Sequence, residues 1–178
     1  MTAFVPVSFP EESLSLLTRT PATLDALLGG LPEAWATATE GPGTWSPYDV
    51  IGHLVHCEKA DWRVRLDIIL EHGPSRPFDP LDREAQFGES KGKSLTTLLD
   101  EFGALRRDNV TYLRSLHIEP AQLELQGTHP ALGPVTIRQL LAAWTVHDLT
   151  HIVQITRVMA RRYKEEVGPW VEYLSVLK

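Results

Sequence analysis

The sequence lacks the features that mark several large classes of protein. Its single cysteine, Cys57, cannot form an internal disulfide. No apolar run approaches the ~18–20 residues that a membrane-spanning helix needs. Internal repeats, low-complexity tracts and long runs of like charge are absent as well. These absences exclude a disulfide framework and a membrane span, and they predict a chain that folds throughout.

Residues with a positive charge are in the minority. The 178 residues include 17 Lys and Arg against 23 Asp and Glu, which gives a formal net charge of −6 at pH 7. An excess of negative charge disfavours a nucleic-acid phosphate backbone as the main partner. The segment Met1–Pro10 has neither the basic nor the apolar region of a secretory signal. We therefore expect a cytoplasmic protein that has neither nucleic acid nor a membrane as its partner.

The length and the composition suit one domain over residues 1–178. Apolar residues make up 43% of the chain and charged residues 22%, values that are typical of globular proteins. A chain of this size buries roughly 70% of the surface that its unfolded form exposes. A hydrophobic core is therefore expected to hold the fold without cross-links.

Capping residues and prolines divide the chain into helical blocks. Proline follows Thr, Ser or Gly at Thr20-Pro21, Ser46-Pro47 and Gly168-Pro169, an arrangement typical of a helix N-terminus. Together with the apolar periodicity, these signals predict five helical blocks. The blocks are Glu11–Leu28 in two segments divided at Pro21, Pro47 to about His72, Leu95 to about Leu116 after the cap Ser94, Ile137 to about Tyr163 after the cap Thr136, and a short last helix after Pro169.

The predicted helices leave two long irregular connections and little room for a sheet. Residues 76–93 are rich in Pro, Gly, Asp and Ser, with one helical turn expected near Leu81–Gln86, and a second irregular stretch covers residues 119–134. The only alternating segment, near Leu123–Gln126, is too short for a sheet core. The sequence therefore predicts an all-α bundle in which crossover connections let neighbouring helices run parallel as well as antiparallel.

His147 and His151 are the most informative residues. They lie four residues apart in the apolar stripe of a predicted helix, so both imidazoles project from one face and are able to bind one metal ion. Burial removes water from these rings, so each nitrogen needs a metal or a hydrogen-bond partner. The alternative is a pair of core histidines bonded to the backbone or to Asp148 and Gln154.

An open catalytic site needs a third protein ligand, and the second helical block offers His53 and His56. His53 has more apolar neighbours at helical spacing, so we predict it as the ligand and place His56 beside the site or at the surface. Three neutral imidazoles suit Zn, Ni, Fe or Co, and they leave positions open for water or substrate.

Several other residues near these histidines have both a structural and a functional interpretation. Glu58 and Asp148 are expected to orient the imidazoles or to face solvent. Gln154, polar within an apolar stripe, is expected to bond to a ligand. Large aromatic side chains in a bundle are first of all core residues, and among the tryptophans Trp144 is the best candidate for a pocket wall. Cys57 is expected to be a small buried hydrophobe, although it lies one turn from His53 and is able in principle to complete a closed metal site.

Four sequence motifs together resemble the DinB/YfiT-like superfamily. They are residues 44–54 (TWSPYDVIGHL), 136–141 (TIRQLL), 147–154 (HDLTHIVQ) and 168–170 (GPW), in the order seen in that family. The resemblance spans nearly the whole chain. It implies an up-down-down-up four-helix bundle, a divalent metal held by His53, His147 and His151, and a homodimer.

The same resemblance implies a class of reaction. Some relatives transfer a low-molecular-weight thiol such as bacillithiol or mycothiol to an electrophile, which is reasonable because a metal favours the nucleophilic thiolate. Arg63, Arg138 and Arg157 are candidate contacts for such a thiol. The alternatives are a hydrolase that uses metal-bound water and a non-catalytic protein, metal-binding or stress-associated, whose metal is structural. For the dimer, Trp170 and Tyr173 near the C-terminus are candidate interface residues.

Overall fold

A computed structural model describes residues 9–178, and helices dominate this part of the chain. The first eight residues, which belong to the segment Met1–Pro10 considered above, lie outside the described residues. The α-helices are α1 (Phe9–Leu28), α2 (Glu33–Ala36), α3 (Pro47–Ala60), α4 (Trp62–His72), α5 (Ala85–Ser90), α6 (Leu95–Ser115) and α7 (Ile137–Arg161). Short 3-10 helices cover Gly73–Ser75, Gln122–Glu124, Gly168–Tyr173 and Ser175–Leu177. The predicted last helix is therefore a pair of 3-10 segments.

Side-chain caps begin the long helices where the sequence predicts them. The Ser46 hydroxyl accepts a hydrogen bond from the Asp49 amide at 3.2 Å, and the Asp49 carboxylate accepts one from the Ser46 amide at 2.9 Å. Thr136 forms the same capping box at the start of α7, and Ser94 caps α6. Each such cap stabilises its helix by about 1 kcal/mol. The starts of α3, α6 and α7 are thus confirmed.

The predicted division of the first helix at Pro21 is wrong, because α1 runs through it without a break. Proline has no amide hydrogen, so the carbonyl of Leu17, four residues earlier, loses its helical donor. The guanidinium of Arg106 on α6 donates to this carbonyl at 3.0 Å instead. A side chain from another helix therefore satisfies the group that Pro21 leaves unpaired, and α1 continues.

The predicted helix from Pro47 to His72 has the expected ends but is interrupted at Asp61. The backbone of Asp61 leaves the helical region, with φ −119° and ψ −82°, and separates α3 from α4. The Asp61 side chain is buried and forms an ion pair with Arg65 one turn later. The interruption therefore lies at a buried carboxylate that has its own cationic partner.

Four long segments form an up-down-down-up bundle, which confirms the all-α prediction. α1 packs against α6 and α7, and α3 packs against the same two helices. On α3 and α4, His53 meets His147 whereas Trp62 stacks on Trp144, so this segment runs opposite to α7. It runs parallel to α6, because Lys59 pairs with Glu101 and Asp67 with Tyr112.

Both long connections are crossovers, as predicted. The connection from α4 to α6 runs back along the bundle, because α4 and α6 are parallel, and it places α5 against α3. The connection from α6 to α7 joins helices that are not packed neighbours and carries a hairpin of β1 (Gln126–His129) and β2 (Gly133–Thr136). No helix among residues 9–178 combines the length and hydrophobicity needed to cross a membrane.

Gly127 in β1 permits the close approach of the hairpin to α4. A methyl group on its Cα would lie 2.6 Å from Cγ1 of Ile69 and 2.9 Å from two ring carbons of Phe78. We predict that Gly127→Ala lowers the free energy of unfolding by about 1–3 kcal/mol through overpacking. Gly88→Ala on α5, where nothing lies within 4 Å of the added carbon, is the matched control. Urea unfolding curves measure both variants, and an equal effect of the two would contradict this role of Gly127.

Candidate metal centre

Three histidines from two antiparallel helices meet at one point inside the bundle. His53 comes from α3, and His147 and His151 occupy successive turns of α7. The Nε2 atom of His147 lies 3.1 Å from Nε2 of His53 and 3.1 Å from Nε2 of His151. Each histidine has a potential ligand atom within 4.8 Å of those of the other two. The structure thus brings together the three residues that the sequence singled out.

The environment keeps these imidazoles neutral. His53 and His151 are buried and His147 is half-buried. Burial disfavours the charged ring, and with the neighbouring imidazoles it lowers the pKa of His53 to about 4 and that of His147 to about 3. Burial also lowers the pKa of His151. The lone pairs that bind a metal are therefore not blocked by protons at pH 7.

Gln154 sets the tautomer of His151. Its side-chain carbonyl lies 2.9 Å from Nδ1 of His151, and because a carbonyl only accepts, Nδ1 carries the hydrogen. In the neutral ring, Nε2 of His151 is then an unprotonated donor atom directed toward the other two histidines. This contact is expected both for a metal ligand and for a core histidine bonded to Gln154. Nδ1 of His147 is buried and has no hydrogen-bond partner among residues 9–178.

The spacing of the three Nε2 atoms fits a metal ion. Bonds of about 2.0–2.1 Å at tetrahedral angles place two ligating nitrogens roughly 3.3 Å apart. The two measured separations of 3.1 Å are close to this value. A divalent cation therefore suits the donor set in both distance and chemistry.

Cys57 does not join this group. Its side chain is 1% exposed, as expected for a small buried hydrophobe. The sulfur lies 3.5 Å from Nε2 of His53, but it is not among the atoms that lie close to all three histidines. Burial, followed by the charges of Asp61 and Glu58, raises the pKa of the Cys57 thiol well above its usual range.

His56 also stays outside the cluster. It is buried, so a surface position is wrong, and its Nδ1 lies 3.0 Å from a carboxylate oxygen of Glu89 on α5. This contact ties α5 to α3. The preference for His53 over His56 as a member of the cluster agrees with the geometry.

A buried network centred on Arg106 links the four long helices. The guanidinium, 1% exposed, donates to both carboxylate oxygens of Asp148 on α7 at 2.5 and 2.9 Å. It also donates to Glu58 on α3 at 2.8 Å and to the Leu17 carbonyl on α1. Burial alone would lower the pKa of Arg106, but hydrogen bonds and charges from the two carboxylates outweigh it and raise the pKa.

This network corrects three expectations from the sequence. Glu58 and Asp148 neither face solvent nor hydrogen-bond the imidazoles, because both bind Arg106. Trp144 is core rather than cavity wall, since it is fully buried and its indole nitrogen donates to Glu58 at 3.1 Å. Asn109 donates to the other carboxylate oxygen of Glu58 at 3.0 Å. The network thereby fixes the register of α3 and α7, the two helices that carry the histidines.

A cavity of about 820 Å³ opens from the three histidines toward solvent. Trp45, just before α3, lines it and stacks on His151 with ring centroids 6.3 Å apart. Arg157 reaches it too, whereas Arg63 pairs with Asp67 and Arg138 with Glu124 elsewhere. The remaining lining includes Glu40, Gly43, Thr44, Arg83, Val146, Leu149, Thr150, Val153 and Gln154. The connection 76–93 contributes Arg83 to this lining.

Three residues of this region escaped the sequence analysis. Arg106 had a usable signal, because it lies four residues from both Phe102 and Val110 in the apolar stripe of α6. Gln86 is 1% exposed and lies in the short helix α5. Arg83 lies just before that helix, where no apolar periodicity predicts which side chains face inward.

The Arg106 network makes a quantitative prediction. We expect Arg106→Met to lower the free energy of unfolding by about 3–5 kcal/mol, because it leaves two buried carboxylates without their cation. Arg107→Met, on the exposed side of the same helix, is the control. Guanidinium unfolding followed by circular dichroism measures both. A similar small change in the two variants would refute the network's structural role.

Comparison with known proteins identifies relatives of this chain. The model of the DinB superfamily matches residues 16–155, more than half of the chain. No curated protein sequence matches it.

Two solved structures share the fold. YfiT from Bacillus subtilis, described as a probable metal-dependent hydrolase with an unusual four-helix bundle topology, superposes with a TM-score of 0.75 and 20% identity, and the match covers 91% of this chain and 93% of that chain. TT2238, described as a four-helix bundle protein, gives a TM-score of 0.53 and 23% identity, covering 85% of this chain and 98% of that chain. By its sequence match and its four-helix architecture, this chain belongs to the DinB superfamily.

Proposed function

We propose that this chain is a metal-dependent enzyme in which His53, His147 and His151 hold one divalent cation. The observation that carries the proposal is the convergence of three Nε2 atoms at the inner end of an open cavity. The structural neighbour YfiT, described as a probable metal-dependent hydrolase, supports it. Neutral imidazoles suit Zn, Ni, Fe or Co.

For the reaction, we propose transfer of a low-molecular-weight thiol to an electrophilic small molecule. A divalent metal, when bound, favours the thiolate form of the thiol and so supplies a nucleophile near neutral pH. The chain's own contribution is to keep the three imidazoles neutral and oriented, and to shield the site with Trp45. Among the described residues that line the cavity, Glu40 is the sole carboxylate, and it is occupied by two arginines. Glu40 is therefore not free to act as a general base, and a thiolate nucleophile does not need one.

Hydrolysis with water as the nucleophile is the second candidate. The description of YfiT as a probable metal-dependent hydrolase favours it. It differs from thiol transfer in a simple way, because product then forms without any thiol. A structural metal is the third possibility, and it requires a closed set of four protein ligands, whereas the cluster contains three histidines among residues 9–178.

The first test of the proposal is metal content. We expect about one divalent cation per chain after reconstitution with zinc and dialysis, and loss of most of it in His147→Ala, because two imidazoles bind far more weakly than three. His72→Ala, at an exposed helix end, and Cys57→Ser are controls that retain metal. Elemental analysis measures the occupancy.

The outcome that contradicts the ligand assignment is equally specific. Wild-type metal content in folded His53→Ala, His147→Ala and His151→Ala variants would place the metal elsewhere. Metal loss in Cys57→Ser would instead indicate a closed site and support the structural alternative. Circular dichroism of each variant separates metal loss from unfolding.

The second test distinguishes the reactions. We expect zinc-loaded protein to accelerate the reaction of 2-mercaptoethanol with 1-chloro-2,4-dinitrobenzene, in which a carbon–sulfur bond replaces the carbon–chlorine bond and chloride and a proton leave. His151→Ala should lose this rate enhancement, and His72→Ala should keep it. Formation of 2,4-dinitrophenol from the same chloride in the absence of thiol would favour hydrolysis. Two negative results together would favour a structural metal. The protein would accelerate neither reaction, and thiols would leave the spectrum of cobalt-substituted protein unchanged.

We propose a homodimer, for which Trp170 and Tyr173 near the C-terminus offer large aromatic surfaces, 69% and 83% exposed in the chain described. The two rings lie 6.5 Å apart and so form one patch. We propose a cytoplasmic location on the grounds given by the sequence.

A further inference from the structure

The cavity above the three histidines has an unbalanced positive charge. Its charged lining residues are Glu40, Arg83 and Arg157. Glu40 accepts hydrogen bonds from Arg157 at 2.5 and 3.2 Å and from Arg161 at 3.2 Å, so its charge is compensated. Arg83 has no carboxylate within ion-pair distance among residues 9–178. A cation without a protein partner therefore lines a cavity in a chain whose net charge is −6.

Arg83 and the three histidines line the same cavity. A ligand that extends from the histidines through this cavity meets the guanidinium of Arg83, whose charge attracts an anionic group.

The rest of the wall is largely apolar on one side. Val146, Leu149 and Val153 lie at helical spacing along α7, are exposed, and line the same cavity. Trp45 contributes a flat aromatic surface. The lining thus offers one exposed cation without a carboxylate partner in the described chain beside apolar surface, an arrangement that suits a small molecule with one anionic end and an apolar body.

We propose that Arg83 binds a carboxylate of the thiol substrate and that the apolar part of the same molecule lies along α7. The proposal rests on the proposed function, since the reacting group of the same molecule is placed at the three histidines. A guanidinium suits this role because its planar fork of donors matches the two oxygens of a carboxylate. Arg83 is thereby a specificity-determining residue, in addition to Arg157, which lines the same cavity and pairs with Glu40.

A matched pair of thiols tests the proposal. 3-Mercaptopropionate carries a carboxylate, and 2-mercaptoethanol is a neutral thiol of similar size. Calorimetric titration of zinc-loaded protein should give tighter binding of 3-mercaptopropionate, and Arg83→Gln should reduce this preference by about tenfold, the value of one charge-assisted hydrogen-bond pair. Arg76→Gln, in the same connection but paired with Asp79 and outside the cavity, should keep the wild-type preference.

A second pair of probes separates this proposal from the metal assignment. Hexanoate and hexanamide, titrated into metal-free protein and followed by NMR, report on Arg83 without any metal. Selective weakening of hexanoate in Arg83→Gln supports the proposal even where zinc is not retained and the proposed function fails. An unchanged preference in Arg83→Gln, or no preference for the anionic probe in the wild-type protein, overturns it.

Discussion

The buried guanidinium of Arg106 is the interaction on which the rest of the structure depends. It contacts α1, α3 and α7 from α6, so one side chain bonds to all the other long helices. Two carboxylates and one guanidinium leave one net negative charge in the interior, which the neutral donors Asn109 and Trp144 help to solvate. Such a network is costly to desolvate and tolerates few alternative arrangements. We infer that it specifies which helix faces meet.

The positions of the three histidines depend on how the Arg106 network aligns α3 with α7. Asp148 lies between His147 and His151 in sequence and bonds to Arg106, while the two imidazoles meet each other and His53 of α3. On α3, Glu58 likewise bonds to Arg106, whereas His53, which lies earlier on the same helix, contacts His147. The carboxylates therefore act on the imidazoles through the helices that carry both. Burial then keeps the rings neutral, and Gln154 directs one of them by hydrogen bonding.

The carboxylates around the site are paired with arginines, and this pairing determines the charge of the cavity surface. Arginines form ion pairs with the anionic side chains near the histidines. The partner in the core is Arg106, and the partners at the rim are Arg157 and Arg161. The surface that a small molecule meets is therefore positive and apolar, although the chain as a whole is acidic. An acidic protein gains in this way a local site that attracts anions.

Local chemistry in the sequence determined the helix starts at Ser46, Ser94 and Thr136 and the helical face shared by His147 and His151, because caps and periodicity act within a few residues. Only the tertiary structure decided the rest. Pro21 lies within a continuous helix because a guanidinium from α6, far along the chain, replaces its missing donor. Trp144 and Asp148 face the core because Glu58 and Arg106 bond to them there. Arg83 meets the cavity because a connection without periodicity folds back over α3, and contacts between residues far apart in sequence have no local signal.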